Sequence, residues 1–249
     1  MHFRGDIRGD IRGENTIICL FRNYTNPVES RDMTDFRTKI VVLDYGMGNL
    51  HSVSKALKHI APRSEVIVTE DPVEIDSADR LVFPGVGAMR DCMLKIRRLG
   101  FDKLILKAIT EKPVLGICLG MQALLEHSEE NNGVECLDVF PGSSKFFGHN
   151  VRGTSGEKLK VPHMGWNRVH QEMDHHMWQG IEQDARFYFV HSYFVENNFT
   201  EIVAGTTDHV LKFAAALTTK NLFAVQFHPE KSHSSGLQLL RNFVTWKGV

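Results

Sequence analysis

A cysteine between two glycines is the first feature of the sequence that can carry chemistry. Cys118 is the central residue of GICLG, residues 116–120, which join a short apolar run to a helical pattern. A nucleophile on such a strand-to-helix turn has a strained backbone, and larger side chains two positions away would clash with the turn. The N-terminus of the next helix favours a thiolate, and the amide of Leu119 can donate to an oxyanion. The pattern predicts a catalytic cysteine; a buried cysteine beside incidental glycines is the alternative.

A histidine and a carboxylate that can activate this cysteine lie near the C-terminus. His228 and Glu230 belong to FHPE, residues 227–230, at the end of the last predicted strand. His228 can take the proton of the thiol, while Glu230 orients the imidazole and stabilises its cation. A structural histidine is the alternative, since the chain contains 13 histidines.

A loop with two glycines supplies the third part of the predicted site. Residues 83–87 (FPGVG) end another predicted strand, and the glycines allow a ligand to approach the backbone closely. Ligands of open α/β sheets bind at the carboxyl ends of the strands. Because all three motifs follow such strand ends, we expect them to meet at one edge of a sheet.

The elements that must position these motifs alternate between strands and helices from Lys39 onward. Short apolar runs rich in β-branched residues predict buried strands over 40–43, 66–68, 81–83 and 114–117. Helical spacing predicts helices over 49–60, over 89–109 with a break near Gly100, and from Leu119 through Ala123 and Leu124.

The second half of the sequence is less regular. It predicts strands over 186–190, 201–205, 209–215 and 222–227, and a closing helix over 234–246. The predicted fold class is therefore α/β, a three-layer, open, mostly parallel sheet with an antiparallel or mixed extension.

Composition and charge exclude several classes of protein. The 249 residues include 29 Lys and Arg against 30 Asp and Glu, a net charge of −1 that does not suit a nucleic-acid binder or a polybasic membrane-surface protein. Hydrophobic residues make up 42% of the chain, and no apolar run reaches the roughly 18 residues of a membrane span. The four cysteines (Cys19, Cys92, Cys118 and Cys136) are widely spaced. That spacing favours reduced thiols in a soluble cytoplasmic protein over a disulfide framework or a structural metal site.

The first 38 residues differ from the rest. RGDI at 4–7 repeats as RGDI at 8–11, with a partial third copy at 12–14, and such a repeat fits neither helix nor strand. We predict a disordered or non-native leader over 1–38 and one catalytic domain over 39–249, with Met33 as the native start. Removal of residues 1–32 should then leave activity and melting temperature unchanged.

Taken together, the motifs resemble those of the class I (triad) glutamine amidotransferase family. The matching segments run in family order from about Ile40 to the C-terminus. They are DYGMGNL (44–50), PGVG (84–87), GICLGMQ (116–122), PHMGWN (162–167), FYFVHSY (187–193) and VQFHPEKS (225–232). DYGMGN, PGVG and PHMGWN point more narrowly to the branch that supplies ammonia for imidazole glycerol phosphate synthesis.

The resemblance implies a reaction and a set of residues for it. Cys118 would attack the amide of glutamine to form a glutamyl thioester and release ammonia, with His228 and Glu230 completing the triad. Leu119 and the loop at Val86 and Gly87 would hold the oxyanion. Residues implied to bind the polar end of glutamine are Gln122, Ser192 and Tyr193. No cofactor and no metal are implied.

The resemblance also implies a protein partner. Ammonia would pass to a HisF-type cyclase subunit, a (β/α)8 barrel, which converts PRFAR into imidazole glycerol phosphate and AICAR in histidine biosynthesis. The partner-facing residues implied in this way are Asn49, Met164, Trp166 and Lys231; a core position is the alternative for Trp166. No nucleic acid and no membrane are expected as partners.

Three other functions compete with this one. A stand-alone glutamine or γ-glutamyl hydrolase would use the same triad without a cyclase. A binding module would keep the fold without turnover, but the intact triad argues against it. An α/β-hydrolase is disfavoured because its acid precedes the histidine by a long stretch, whereas Glu230 follows His228 by two residues.

Overall fold

The computed structural model describes residues 38–153, 156–196 and 198–248. The predicted leader, with Met33 and Cys19, lies outside these residues apart from Thr38. Within this part of the chain, no helix is both long and apolar enough to cross a membrane.

Fourteen strands form two sheets in the described residues. In chain order they are β1 (Lys39–Leu43), β2 (Glu65–Thr69), β3 (Arg80–Gly85), β4 (Val114–Cys118), β5 (Leu125–Ser128), β6 (Val134–Glu135), β7 (Phe140–Phe146), β8 (His163–Arg168), β9 (His170–Gln171), β10 (Arg186–His191), β11 (Tyr193–Val195), β12 (Val203–Asp208), β13 (Lys212–Thr219) and β14 (Leu222–Val225).

The α-helices of the same residues are α1 (Leu50–Ile60), α2 (Pro72–Asp76), α3 (Met89–Leu99), α4 (Phe101–Glu111), α5 (Leu119–Gln122) and α6 (His233–Thr245). Three 3-10 turns lie at Glu130–Asn132, His176–Trp178 and Pro229–Lys231.

A parallel core positions the predicted motifs. Strands β2, β1, β3, β4 and β14 lie side by side in that order, and each neighbouring pair is parallel. Successive residues of β1 point to opposite cores, Val41 to one and Val42 to the other. Helices α3 and α4 cover the first face, and α1 and α6 cover the second. Burial on both faces explains why these strands are almost continuously apolar.

The sheet continues beyond β14 with mixed pairing, in which β5 and β7 are parallel and the other neighbouring pairs are antiparallel. Its order there is β13, β11, β7, β5 and β6, with β12 and β9 attached to β13, while β8 and β10 form a separate antiparallel ribbon. The predicted fold class, a mostly parallel three-layer sheet with a mixed extension, is therefore confirmed.

Several predicted boundaries are wrong. The predicted strands over 201–205 and 209–215 are displaced to Val203–Asp208 and Lys212–Thr219. The pairing of β12 with β13 has two register shifts around Gly205, which disturb the alternating pattern. The helix predicted through Leu124 also ends earlier, at Gln122, because Leu125 begins β5.

Candidate active site

Cys118 lies at the sharp turn between β4 and α5. Its φ of 55° and ψ of −109° are strained values for a residue with a side chain. Gly120 packs closely against the neighbouring strand, so a Cβ at this position would collide with the carbonyl oxygen of Phe83. Since only glycine fits there, the second glycine of GICLG is required by packing.

His228 and Glu230 face this cysteine from the segment after β14. His228 Nδ1 and Glu230 Oε1 are 2.9 Å apart, and both side chains are almost fully buried. Burial disfavours the imidazolium, but the adjacent Cys118 sulfur and then the Glu230 carboxylate outweigh it and raise the pKa of His228 to about 10. His228 Nε2 has no hydrogen-bond partner among the described residues, so this atom is available for proton transfer.

One cavity of about 450 Å³ brings most of the predicted site residues together. Its lining includes the nucleophile, the histidine, the glycine loop and the strand ends; the residues are Val86, Gly87, Cys118, Leu119, Gln122, Glu130, Pro162, Val190, His191, Ser192, Tyr193 and His228. A volume of this size suits a small ligand such as an amino acid.

The loop at Val86 and Gly87 borders the cavity directly beside the nucleophile. Gly85 pairs with Cys118 in the parallel register of β3 and β4, so the next two residues extend over the cavity mouth. Gly87 has a φ of +103°, which favours glycine. Tyr45, from the DYGMGN segment, donates a 2.8 Å hydrogen bond from its hydroxyl to the carbonyl of Pro84 and supports this loop.

The residues predicted to bind glutamine line the same cavity. Gln122 is buried, and its Nε2 donates to the carbonyl of Tyr193 at 2.9 Å and to Gln226 Oε1 at 2.8 Å. Both hydrogens of the amide are therefore used inside the protein. No donor among the described residues reaches Gln122 Oε1, which is thus the part of the side chain that can accept from a ligand. Ser192 and Tyr193 are half-buried at the cavity wall.

The sequence motifs did not single out Glu130. It is the carboxylate that lines the cavity, and its Oε2 accepts a 2.8 Å hydrogen bond from the amide of Met89. Glu130 lies in a short 3-10 turn after β5, a polar stretch without a periodic pattern. No local signal identifies it, because only the fold brings this turn to the cavity.

Gln226 was also missed as an individual residue. It is fully buried, two positions before His228, and its Nε2 donates to Cys118 Sγ over 3.8 Å. Residues two apart in an extended segment share a face, so its spacing from His228 was an available signal.

Two buried histidines extend this polar network, and one of them, His191, lines the cavity. His191 Nδ1 is 2.8 Å from the carbonyl of Tyr193, His191 Nε2 is 2.9 Å from His163 Nδ1, and Asn167 Nδ2 is 3.2 Å from His163 Nε2. Because a carbonyl only accepts, His191 is protonated at Nδ1 and His163 donates from Nδ1. Burial, reinforced by neighbouring imidazoles, lowers the pKa of each to about 3, so both are neutral near pH 7.

Three of the four predicted partner-facing residues lie near one another on the surface. Met164 and Trp166 occupy alternate positions of β8, and both are exposed. Trp166 contacts the edge of Tyr188, and Lys231 Nζ lies 5.9 Å from the centre of the same ring. Asn49 directly precedes α1, which packs against the turn that carries Lys231.

The other described cysteines contrast with Cys118. Cys92 and Cys136 are buried free thiols, and burial raises the pKa of each to about 12. They are therefore poor nucleophiles near neutral pH. In the described part of the chain, no three His, Cys, Asp or Glu side chains are grouped so that they could hold a metal ion.

Comparison with known proteins identifies a family model and close relatives. The model Glutamine amidotransferase class-I matches residues 41–246. Imidazole glycerol phosphate synthase subunit HisH of Pseudomonas putida is 58% identical over 209 residues, 84% of this chain and 98% of the relative. Subunit HisH 1 of Pseudomonas aeruginosa is 57% identical, with coverage of 84% and 97%, and HisH of Nitrosococcus oceani is 54% identical, with coverage of 85% and 99%.

Solved structures show the same fold at much lower identity. One, described as a glutamine amidotransferase, has a TM-score of 0.59 and 17% identity, and covers 82% of this chain and 96% of its own. PurLQS from Thermotoga maritima has a TM-score of 0.57 and 16% identity, with the same coverage of 82% and 96%. At these identities the comparison supports the architecture alone.

Proposed function

The chain belongs to the class-I glutamine amidotransferase family, and on that premise we propose that it is the glutaminase subunit of an imidazole glycerol phosphate synthase. Family membership makes it an enzyme of glutamine-dependent amide chemistry. Its relatives at 58% and 57% identity, matched over almost their whole length, carry the name of that subunit. The catalytic domain proposed for this role is 39–249, acting in the cytoplasm.

The reaction proceeds through Cys118 and His228. The thiolate of Cys118 attacks the amide carbon of glutamine, and the carbonyl oxygen becomes an oxyanion. His228 then gives its Nε2 proton to the leaving nitrogen, the carbon–nitrogen bond breaks, and ammonia departs from a glutamyl thioester. Water, deprotonated by the now neutral His228, attacks the thioester and releases glutamate and the Cys118 thiolate.

The oxyanion is held by backbone amides at the carboxyl ends of β3 and β4. Leu119 follows the nucleophile, and Val86 and Gly87 lie beside it on the neighbouring strand end. Amide donors in fixed positions stabilise charge that develops in the transition state and need no reorganisation.

The cavity wall offers hydrogen-bond acceptors to one polar end of glutamine and hydroxyl and backbone groups to the other. The carboxylate of Glu130 and the unpartnered Oε1 of Gln122 are acceptors suited to an α-ammonium group. Ser192 and Tyr193 provide hydroxyl and backbone groups for the other polar end of the ligand.

The ammonia is used by a partner. At neutral pH free ammonia is mostly protonated and unreactive, so a shielded path to the acceptor has a chemical purpose. The proposed partner is a HisF-type (β/α)8 cyclase subunit that makes imidazole glycerol phosphate and AICAR from PRFAR. Its docking face includes Met164, Trp166 and Lys231, with Asn49 nearby.

The observation that carries this proposal is that Cys118 and His228 line one amino-acid-sized cavity, with Glu230 in contact with His228, in a chain whose relatives bear the subunit's name. The test uses the Cys118→Ala variant mixed with the cyclase. We expect loss of glutamine-dependent synthesis while synthesis from added ammonium salt continues, because ammonia bypasses the thioester.

Two outcomes would contradict the proposal. Loss of both activities in a variant that still folds and binds the cyclase would mean that Cys118 has another role. Full glutamine hydrolysis that never depends on a cyclase would instead favour a stand-alone hydrolase. Coupled assays with each nitrogen source, run with and without the cyclase, separate these cases.

A further inference from the structure

A single backbone carbonyl determines the orientation of the two buried side-chain amides next to the nucleophile, those of Gln122 and Gln226. The carbonyl oxygen of Tyr193 accepts from Gln122 Nε2 at 2.9 Å and from His191 Nδ1 at 2.8 Å. If the amide of Gln122 were reversed, its oxygen would face this carbonyl oxygen, and two acceptors would be opposed. The side chain of Gln122 therefore has one orientation, with its NH2 group pointing inward.

That orientation fixes the next amide in turn. Gln122 Nε2 also donates to Gln226 at 2.8 Å, so the atom of Gln226 at this contact must be its oxygen. A carboxamide has only two ends, and the NH2 of Gln226 must then lie on the other side. There it contacts Cys118 Sγ over 3.8 Å.

We propose that Gln226 is a further catalytic residue of the glutaminase, whose amide N–H, aimed by Gln122, stabilises the negative charge of the Cys118 sulfur. The inference rests on the proposed function, because it assumes that Cys118 is the nucleophile. Hydrogen bonds to a charged acceptor are stronger than neutral ones, and Gln226 is fully buried, so water does not compete for the contact.

Among the other groups around the sulfur, the carbonyl of Val190 has the opposite effect. The carbonyl of Val190 lies 4.0 Å from Cys118 Sγ and can only accept, so it interacts favourably with the thiol form. Gln226 can only donate from Nε2, so it interacts favourably with the thiolate. The thiolate is both the attacking group and the group expelled when the thioester is hydrolysed. A donor at the sulfur therefore raises the fraction of attacking thiolate in the first half of the reaction and stabilises the departing thiolate in the second.

The test compares two substitutions of Gln226. Gln226→Glu keeps an oxygen to accept from Gln122 and replaces the donor to sulfur with a second acceptor. Gln226→Leu removes both hydrogen bonds at similar volume. Asn242→Leu is the matched control, since Asn242 is another buried amide, on α6, that donates to the carbonyls of Met177 and Gln179.

The measurement is the rate of Cys118 alkylation by iodoacetamide against pH, in the full chain. The peptide that contains Cys118 is followed by mass spectrometry, so that reaction at other cysteines does not interfere. For both Gln226 variants we expect alkylation of Cys118 to slow about tenfold at a pH on the rising part of the profile, because less of the sulfur is then present as thiolate. The Asn242 variant should keep the wild-type profile.

Turnover with the cyclase adds a second measurement. For Gln226→Glu we expect kcat for glutamine to fall about tenfold with KM changed less than about threefold, because the support of Gln122 is kept. If Gln226→Leu does not fold, Gln226→Glu decides alone. A wild-type alkylation profile in Gln226→Glu, or a change confined to KM, would overturn the inference and leave Gln226 as a support for Gln122. Failure of the proposed function is distinct: glutamine turnover would survive complete alkylation of Cys118.

Discussion

The backbone conformation at Cys118 places its sulfur at the cavity wall, and the surrounding side chains influence the charge of that sulfur. A φ of 55° on a residue with a side chain costs free energy, on the order of 1–3 kcal/mol, that the rest of the fold must offset. In this conformation the sulfur lines the cavity next to His228, and Leu119, the proposed oxyanion donor, follows it in the chain. Strain at this one residue is thus a consequence of catalytic geometry.

Glu230 provides a prediction at this scale, because it supports His228 without touching the substrate. Replacement of Glu230 by Gln should lower glutamine turnover about hundredfold, less than Cys118→Ala does, since the oriented nucleophile remains. The pKa of His228 is raised to about 10, above an unfolded value of about 6.5. Its contribution to the free energy of unfolding is therefore complete below pH 6.5 and is lost as the pH rises towards 10.

The effect of Glu230→Gln on the free energy of unfolding should therefore depend on pH. Glu230→Gln should cost most at pH 6, and the difference from wild type should shrink by pH 9.5; denaturant unfolding at the two pH values measures this. Asp184→Asn is the control, because His170 and Asp184 make the same 2.9 Å contact with both side chains about half exposed. An exposed pair contributes little. An equal, pH-independent loss in the two variants would contradict the role given to Glu230.

At the scale of elements, the glycine after the nucleophile supplies a prediction. Gly120→Ala would drive a Cβ into the carbonyl oxygen of Phe83, and backbone of two packed elements cannot yield easily. We expect a loss of about 3 kcal/mol or more in the free energy of unfolding, together with loss of glutaminase activity.

The control for Gly120 is Gly100, between α3 and α4. Its φ is +70°, and a Cβ there would meet nothing within 4 Å. Gly100→Ala should therefore cost only the left-handed backbone strain, about 1 kcal/mol, with activity retained. Similar losses in the two variants, measured by denaturant unfolding, would mean that the close approach of α5 to β3 is not what requires a glycine.

Elements with a strong local pattern were predictable, and elements defined by tertiary contacts were not. Strand β4 is a continuous apolar run, helices α3 and α4 have apolar residues at helical spacing, and the break at Gly100 has a left-handed φ. Strand β7 (FPGSSKF) and strand β8 (HMGWNR) contain few apolar residues in alternation, so their pairing depends on neighbours distant in the chain. Helix α2 was missed although Asp71 caps it and Pro72 begins it, a recognised start signal.

The same distinction applies to the site. Cys118, His228 and Glu230 belong to short motifs whose local form already suggests chemistry. Glu130 and the pair His163 and His191 have no such form, because their positions depend on where a 3-10 turn and a β-ribbon pack. Their proximity to the cavity is a property of the fold.

At the scale of the whole molecule, exposed apolar side chains lie at the cavity and on strand β8. Val86 lines the cavity and is exposed, as are Met164 and Trp166 on β8. A second cavity, of about 720 Å³, is lined by Met164 and shares Pro162 and Ser192 with the first. Exposed apolar surface beside the cavity suits the proposed docking face, because its burial by a partner would stabilise the complex and exclude water.

Met164 and Leu94 allow a matched test of this face, since each is 62% exposed in the isolated chain. Leu94 lies on α3, which covers one face of the parallel sheet, whereas Met164 lies beside the cavity mouth. On the proposed docking face the cyclase would cover Met164, so Met164→Ser should weaken binding to the cyclase about tenfold. Leu94→Ser should leave the affinity unchanged, and neither variant should alter the melting temperature by more than a few degrees, since both side chains already face water. Titration of labelled cyclase with each variant measures the affinity. Equal effects of the two substitutions would place the partner on another surface.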